Sequence, residues 1–340
     1  MGFWNRFTPL VMVAALAACD SVPTQADDAG EALFKKGGGK PGGGGGGEDP
    51  TADPALAFHY DGGMWVINED GSNRVEVLRN DCSHSESSWD PAGDGTAADP
   101  YRVINWGTFA SCLPMRIVEF DADGGTVHVQ GVQAVEIAGS SDTNLYGDPA
   151  WSPAGAEIAL SRSSLNPVTN EWEDAIYVIA VANLPNPTPQ LVYAPVPGCG
   201  VGSPTWDRIG TAVVFREVCD GGNGGRILAA DRGTGFVSEV VPFGVFDSMG
   251  TFEWARTSDV LAVTAMGPAK KGRGEEWTVY TIQLPGGTPE SVAYGFGPTW
   301  SPDDSRLAFH YGNRRKLKTA NATGGGEVTL GSGELPAWRR

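Results

Sequence analysis

Six short segments of the chain repeat one pattern, in which a tryptophan follows small or turn-forming residues and precedes an apolar strand. They read SSWDPAG, PAWSPAG, PTWDRIG, FEWARTS, PTWSPDD and PAWRR, with the tryptophans at Trp89, Trp151, Trp206, Trp254, Trp300 and Trp338. The intervals are 62, 55, 48, 46 and 38 residues. Units of this length, built from short strands around a fixed tryptophan, are typical of propeller blades. The repeat therefore predicts an all-β, six-bladed β-propeller.

The pentapeptide LAFHY occurs twice, at Leu56–Tyr60 and at Leu307–Tyr311. The second copy follows a tryptophan segment and a turn, so it is the second strand of its blade. The first copy has no tryptophan ahead of it, whereas Trp338 has no second strand behind it. We therefore predict that the two chain ends share one blade, and that the C-terminal strand pairs with the N-terminal blade to close the ring.

Glycine turns join the third and fourth strands, because Asn, Asp and Gly supply the positive φ that tight hairpins need. They are centred on Gly71, Gly124, Gly233, Gly286 and Gly324, and the third blade has NLPNPTP instead. The pattern Pro-x-Trp-Ser-Pro-Asp before an apolar strand, seen in PTWSPDD and more loosely in PAWSPAG, resembles the WD-type repeat of TolB-like six-bladed propellers. The resemblance extends from about Asp53 to the end, with poor matches at Trp89 and Trp254. It implies a non-catalytic propeller that binds a protein or peptide.

Residues 1–18 have the form of a bacterial lipoprotein signal peptide. Arg6 precedes an apolar run that is too short for a permanent membrane helix and ends in small residues. The ending LAAC resembles the lipobox, so we expect Cys19 to be lipidated; an ordinary signal peptide is the alternative. Asp20 resembles the inner-membrane retention signal of enterobacterial lipoproteins, a rule that is not general, so inner and outer membrane both stay open.

Residues 19–53 are rich in glycine with scattered charge, a composition that cannot bury enough apolar surface to fold. We expect a disordered tether with a mean reach of roughly 30 Å, followed by the propeller over residues 54–340. The net charge of −17 argues against a nucleic-acid partner. Together these features predict a monomeric, extracytoplasmic propeller anchored in the cell envelope by lipid.

The connections between strands divide into two sets. Those from strand two to three, and from strand four to the next blade, are long and different in every blade, as in NDCSHSES, GTFASCLP and SSLNPVTNEWED. Antiparallel strands place this set on one face, the long-loop face, and the short connections on the other, the short-turn face. Binding sites favour variable loops on a rigid scaffold, so the long-loop face is the candidate binding surface.

Four cysteines remain besides Cys19, an even number in an oxidising compartment. Cys82 and Cys199 each lie seven residues before a repeat tryptophan, and Cys112 and Cys219 follow the second strands of the same two blades. This placement predicts the disulfides Cys82–Cys112 and Cys199–Cys219 on the long-loop face. Free or zinc-bound thiols are the alternative.

One position near the end of strand two is polar in all six blades. Alignment of the repeats gives His59, Asn105, Ser161, Arg216, Thr264 and His310. The simplest explanation is a structural hydrogen bond at the end of each strand. A structural hydrogen bond does not require side chains such as those of His59, Arg216 and His310, so these three are candidate binding residues. Three aromatic neighbours are candidates as well: Tyr60, Trp106 and Tyr311.

Two basic loops leave strand two of the fifth and sixth blades. They supply six candidate residues: Lys270, Lys271, Arg273, Arg314, Arg315 and Lys316. In an acidic protein they put positive charge on one sector of the long-loop face, beside the two histidines, which predicts an acidic partner. Loops that only maintain solubility are the alternative.

Sequence motifs for catalysis are absent: there is no GxSxG, HExxH, phosphate loop or EF-hand, and no histidine has a His or Cys at metal-ligand spacing. We therefore expect no catalytic residue, metal or cofactor. One alternative is a propeller enzyme of the lactonase, dehydrogenase or lyase type, acting on a sugar-like substrate at the channel mouth. Another is a passive structural component of an envelope complex.

Overall fold

A computed structural model describes residues 53–79, 85–107, 115–123, 125–141, 143–220, 224–266, 276–312 and 315–339. Within these ranges the chain forms six antiparallel, four-stranded sheets and one short 3-10 helix, Val181–Asn183. No helix of the described ranges has the length and apolar character needed to cross a membrane.

The sheets are the six blades of a propeller, here numbered in chain order. Blade 1 contains β1 (Leu56–Tyr60), β2 (Gly63–Ile67), β3 (Val75–Arg79) and, as its innermost strand, β24 (Glu334–Trp338). Blade 2 contains β4 (Ser85–Trp89), β5 (Tyr101–Gly107), β6 (Met115–Asp123) and β7 (Thr126–Val135). Blade 3 contains β8 (Asn144–Trp151), β9 (Glu157–Leu165), β10 (Trp172–Ala180) and β11 (Gln190–Tyr193).

The other three blades follow the same order from the centre outwards. Blade 4 contains β12 (Cys199–Trp206), β13 (Ala212–Cys219), β14 (Arg226–Asp231) and β15 (Val237–Val241). Blade 5 contains β16 (Met249–Trp254), β17 (Val260–Met266), β18 (Trp277–Gln283) and β19 (Glu290–Tyr294). Blade 6 contains β20 (Phe296–Trp300), β21 (Arg306–Tyr311), β22 (Lys316–Asn321) and β23 (Val328–Ser332).

Six apolar cores, each between two consecutive blades, hold the ring together. Strand alternation sends Leu56 and Phe58 towards blade 6 and Ala57 towards blade 2, as the period of two requires. The tryptophan of each inner strand packs against the preceding blade, and five of the six are at most 3% exposed. The repeat tryptophan is therefore the anchor between blades.

The predicted closure of the ring is confirmed. β24 pairs with β1 through Leu56–Trp338 and Ala57–Ala337. The Trp89 indole N–H donates to the Ala337 carbonyl oxygen at 2.9 Å. On the other side, the Trp338 backbone N–H donates to Thr299 Oγ1 at 3.0 Å. The C-terminal strand is thus bonded to its own blade and to both neighbouring blades.

A β-bulge in the inner strand explains the Pro-x-Trp motif. In blades 1, 3, 4 and 6 the pairing shifts by one residue just before the tryptophan. The residue three before each of these tryptophans has a positive φ: Asp148, Ser203, Gly297 and Leu335. A proline follows each of them, and it removes no ladder bond because a bulge residue is unpaired. Blade 2 has no shift and blade 5 shifts one residue earlier, so the two poorly matching repeats differ in backbone as well.

Three details depart from the predicted turns and connections. In DRGTG the residue with positive φ is Gly235 and not Gly233. Asp231 Oδ1 caps this turn by accepting hydrogen bonds from the backbone N–H groups of Gly233 and Thr234. Gly124 lies outside the described residues. Blade 2 has a long β4–β5 connection, residues 90–100, on the short-turn face, and blade 1 has a two-residue β1–β2 turn, Asp61 and Gly62, on the long-loop face.

Candidate functional site

A central channel is lined by the inner strand of every blade, β4, β8, β12, β16, β20 and β24. It encloses about 800 Å³ of space, its open mouth included. The residues three before each tryptophan form one layer of its wall, which we call the inner ring: Glu86, Asp148, Ser203, Thr251, Gly297 and Leu335. The charge in this ring lies on the side of blades 2 and 3.

The charged side of the inner ring is a connected group. The carboxyl groups of Glu86 and Asp148 hydrogen-bond to each other, and the Arg216 guanidinium lies near both. Asp148 Oδ2 also accepts hydrogen bonds from Ser161 Oγ at 2.9 Å and from the Ser203 backbone N–H at 3.2 Å. Because inner strands run from the long-loop face towards the short-turn face, this group lies at the long-loop end of the channel.

Burial governs the protonation of this group. It raises the pKa of the Glu86 carboxyl well above its usual range, and the charge and hydrogen bond of Asp148 raise it further, while Arg216 opposes them. Burial also raises the pKa of Asp174, despite a hydrogen bond from Ser163. It lowers the pKa of Arg216, against the charges of Asp148 and Glu86. A carboxyl group whose pKa is raised in this way keeps its proton to a higher pH, and it can then donate that proton or a hydrogen bond.

Sequence reasoning named Arg216 but missed Glu86, Asp148 and Asp174. The signal for the first two was present, since both lie three residues before a repeat tryptophan. Asp174 belongs to β10 and has no such marker; only the tertiary fold brings it against β12, where it accepts a hydrogen bond from the Val201 backbone N–H.

The register of blade 2 corrects one aligned position. In the other blades the polar residue lies three after the residue that pairs with the tryptophan, as His59 does after Leu56. In blade 2 the partner of Trp89 is Val103, so the equivalent residue is Trp106 and not Asn105. The β4–β5 connection causes the difference, because it has 11 residues where the connections in blades 3 to 6 have five, so the spacing from the tryptophan does not carry over to blade 2.

The contacts of the polar position in strand two agree with a structural role. His310 Nδ1 accepts the Leu335 backbone N–H at 3.2 Å, and Thr264 Oγ1 accepts the Gly297 backbone N–H at 3.1 Å. In both cases the donor is the bulge residue of the next blade. Arg216 likewise reaches the next blade, where it donates to the Met249 carbonyl oxygen. This position therefore joins strand two to the neighbouring inner strand.

His59 is part of a buried ionic group at the seam of the ring. His59 Nδ1 lies 3.1 Å from Glu334 Oε1, and Arg315 Nη1 lies 2.6 Å from the same oxygen. His59 and Glu334 are 2% and 3% exposed. His59 and His310 are thus connected through consecutive residues of β24, Glu334 and Leu335, as their predicted adjacency requires.

The three candidate aromatic residues differ in exposure. Tyr60 is 39% exposed, and the Arg74 guanidinium lies 4.1 Å from its ring centroid. Tyr311 is partly buried, with Lys318 Nζ 5.0 Å from its ring. Trp106 packs against Gly147 so closely that a Cβ there would lie 2.7 Å from the indole. Trp106 therefore fills the space between blades 2 and 3, and Tyr60 is the most accessible of the three.

Of the six basic candidates, Lys270, Lys271, Arg273 and Arg314 lie outside the described residues. Arg315 forms the ion pair with Glu334 and keeps a side chain that is 47% exposed. Lys316 Nζ donates to Ser332 Oγ at 3.2 Å. The two described residues thus have internal partners.

The predicted disulfide Cys199–Cys219 is present and joins directly opposed residues of β12 and β13 at the long-loop end of blade 4. The neighbouring Glu217 is fully buried. It accepts hydrogen bonds from Tyr193 Oη at 2.6 Å and Arg226 Nε at 2.7 Å. Cys82 and Cys112, and Cys19 with its lipidation, lie outside the described residues.

Exposed apolar side chains are distributed unequally between the two faces. Among the described residues, four large ones lie on the short-turn face or at the strand ends there, Leu191, Ile209, Phe236 and Val328, and Val132 lies within β7. Eight lie at the long-loop ends of strands or in the connections there: Tyr60, Val168, Trp172, Val196, Val218, Phe243, Val245 and Trp277. Exposed apolar area concentrated on one face is a mark of an interaction surface.

Fold and channel together define the class of protein, a six-bladed β-propeller, and its fold is similar to that of TolB. TolB from Acinetobacter baumannii superposes with a TM-score of 0.57 at 16% identity, over 84% of this chain and 66% of that one. The putative TolB from Agrobacterium tumefaciens gives 0.57 at 13% identity, over 83% and 92%. A chain of a nidogen/laminin complex gives 0.56 at 10% identity, over 85% and 99%.

These similarities are similarities of fold. This chain spans 66% of the length of the Acinetobacter TolB. No known family profile matches the sequence, and no curated protein matches it.

Proposed function

We propose that this protein is a non-catalytic, membrane-tethered propeller that binds a protein or peptide partner on its long-loop face. The observation that carries the proposal is the concentration of exposed apolar side chains on that face, eight against four on the short-turn face. The TolB-like fold is consistent with such a role.

The direction of β1 supports an orientation for the proposed tether. The chain enters β1 at Leu56, at the short-turn end, because strand two of each blade runs from the short turns to the long loops. The described part of the chain therefore begins on the short-turn side, opposite the proposed binding face. We infer a cell-envelope location outside the cytoplasm from the signal sequence.

Membrane attachment is tested with Cys19→Ser. Wild type should stay in the membrane fraction and incorporate labelled palmitate. The variant should leave the membrane fraction and should not incorporate the label. Membrane association that is unchanged in the variant would remove the tether from the proposal.

Partner binding is tested by photo-crosslinking in cells that express the full chain. A photoreactive residue at Trp172, Val218 or Tyr60 should capture one defined protein, whereas the same residue at Ile209 or Phe236 should not. Crosslinks that arise only from the short-turn positions would contradict the proposal.

The channel favours a second candidate, an enzyme that acts on a small, sugar-like substrate. The hydrogen-bonded carboxyl groups of Glu86 and Asp148, with Arg216 beside them and the pKa of Glu86 raised, are the kind of arrangement that acid–base catalysis uses. Calorimetric titration of wild type and Asp148→Asn with a panel of lactones and uronic acids separates the two candidates. Binding by wild type that the substitution abolishes would favour the enzyme.

A further inference from the structure

An apolar strip crosses the long-loop ends of blades 3 and 4. Its members are 36% to 64% exposed: Trp172, Val196, Val218, Phe243 and Val245. Trp172 begins β10, Val218 lies at the end of β13, and the others lie in the connections that enter and leave blade 4. The strip thus extends from the third strand of blade 3 across the width of blade 4.

Contacts between the loops fix the strip in place. Next to Trp172, β10 touches β12, where a Cβ on Gly200 would lie 2.8 Å from an Asp174 carboxylate oxygen. The Cys199 backbone N–H donates to the Val196 carbonyl oxygen at 3.1 Å, and Cys199 is tied by the disulfide to the residue after Val218. These contacts hold the first half of the strip on regular strands.

The outer half is fixed by an arginine and by close backbone packing. The Arg226 guanidinium lies 4.8 Å from the centroid of the Phe243 ring, and its other side is paired with buried Glu217. A Cβ on Gly224 would lie 2.0 Å from the Phe246 carbonyl oxygen, so the connection that carries Phe243 and Val245 rests directly on the end of β14. A surface held this way requires little ordering on binding.

The charge exposed around the strip is mainly negative. Between Asp53 and Met266 the sequence holds 28 Asp and Glu against 10 Arg and no Lys. Four exposed acidic residues border the strip: Glu171, Glu173, Asp220 and Asp247. The arginines nearby are engaged internally, Arg162 with Tyr177 and Arg226 with Glu217. The negative charge of the border therefore lacks compensation from these arginines.

We propose that this strip is the docking site for a basic, amphipathic segment of the protein partner, with apolar side chains on the strip and Lys or Arg against its acidic border. The inference rests on the proposed function and specifies the sector and the chemistry of the partner. It reverses the charge expected from the basic loops, because complementarity at an acidic border selects a cationic segment. The same charge disfavours an anionic lipid surface.

The test uses a fluorescent 18-residue peptide of lysine and leucine, arranged as an amphipathic helix, and its counterpart with glutamate in place of lysine. Binding to the full chain is measured by fluorescence anisotropy at about 0.15 M salt, where long-range attraction is screened. The lysine peptide should bind and the glutamate peptide should not. Better binding of the glutamate peptide would overturn the proposal.

Matched variants separate docking from general attraction to an acidic protein. Val218→Ser with Phe243→Ser should raise the Kd about tenfold or more, whereas Ile209→Ser with Phe236→Ser on the short-turn face should change it less than about threefold. Asp220→Lys with Asp247→Lys should weaken binding far more than Asp123→Lys with Glu290→Lys, which makes the same change of charge at short-turn ends. Equal effects within either comparison would overturn the proposal.

Two further measurements test for other occupants of the strip and for the charge of the partner's segment. Flotation with phosphatidylglycerol vesicles that the strip variants abolish would show that lipid occupies the strip. A dimer that the same variants abolish would show that a second copy of the chain does, and either result would overturn the inference. Crosslinked peptides captured from Trp172 or Val218 should be net positive. Crosslinks from Tyr60 or Trp277 alone would overturn the strip and leave the proposed function standing, whereas crosslinks from the short-turn face alone would overturn the proposed function.

Discussion

The substitution Trp338→Ala tests whether the C-terminal strand closes the ring. Trp338 is 3% exposed and lies in the core between blades 6 and 1, with Leu56, Phe58 and Leu317. Removing a buried tryptophan side chain costs about 3–5 kcal/mol, from lost transfer energy and from the cavity left behind. Net stability of a folded protein is about 5–15 kcal/mol, so this single change should remove a large share of it.

The assay is denaturant unfolding followed by tryptophan fluorescence, with a thermal scan beside it. The midpoint should fall markedly, and the melting temperature should drop by roughly 6 °C or more. Trp172→Ala is the matched control, because Trp172 is 47% exposed and its loss should cost much less. Removal of Glu334 to Arg340 should go further, with loss of cooperative unfolding and association of the exposed β1 edge. A truncated chain that stays monomeric and keeps its melting temperature would refute the six-blade closure.

Two further predictions concern blade 4 and the channel. The double substitution Cys199→Ser with Cys219→Ser opens a link across 20 residues and should cost about 3 kcal/mol by loop entropy; a melting temperature equal to that of oxidised wild type would contradict this. Because the folded-state pKa of Glu86 is raised, its contribution to stability is complete below its unfolded value, about pH 4.3, and is lost as the pH rises through the folded value. The melting temperature of wild type should therefore fall as the pH rises above about 4, and Glu86→Gln should make this fall smaller. Parallel curves of melting temperature against pH for variant and wild type would disprove the assignment.

Most of the fold follows from spacing in the sequence. The unpaired LAFHY and the unpaired Trp338 were enough to predict a blade built from both chain ends, and the second LAFHY, Leu307–Tyr311, lies in the second strand of its blade, β21, as predicted. Periodic features of this kind are repeated in the sequence, so each copy supports the others.

The site was less accessible to the same reasoning. Glu86 and Asp148 each lie three residues before a repeat tryptophan, but that spacing does not show that their side chains meet, and the inner strand of blade 3 has a bulge that blade 2 lacks. The sequence analysis interpreted Arg315 as a surface charge, because its partner Glu334 lies 19 residues further along the chain, after β22 and β23. Contacts between blades depend on side-chain direction in three dimensions, which a one-dimensional alignment does not contain.

Blade 1 also has a kinetic consequence. His59 and Glu334, which meet in this blade, are 275 residues apart in the chain, whereas the other blades form from strands that follow one another directly. Closing a loop of that length, in place of a hairpin about twenty residues long, costs about 2 kcal/mol more in chain entropy. The five local blades can therefore assemble first as an open arc, and blade 1 forms last. Synthesis of β24, Glu334–Trp338, is then the event that allows the ring to form.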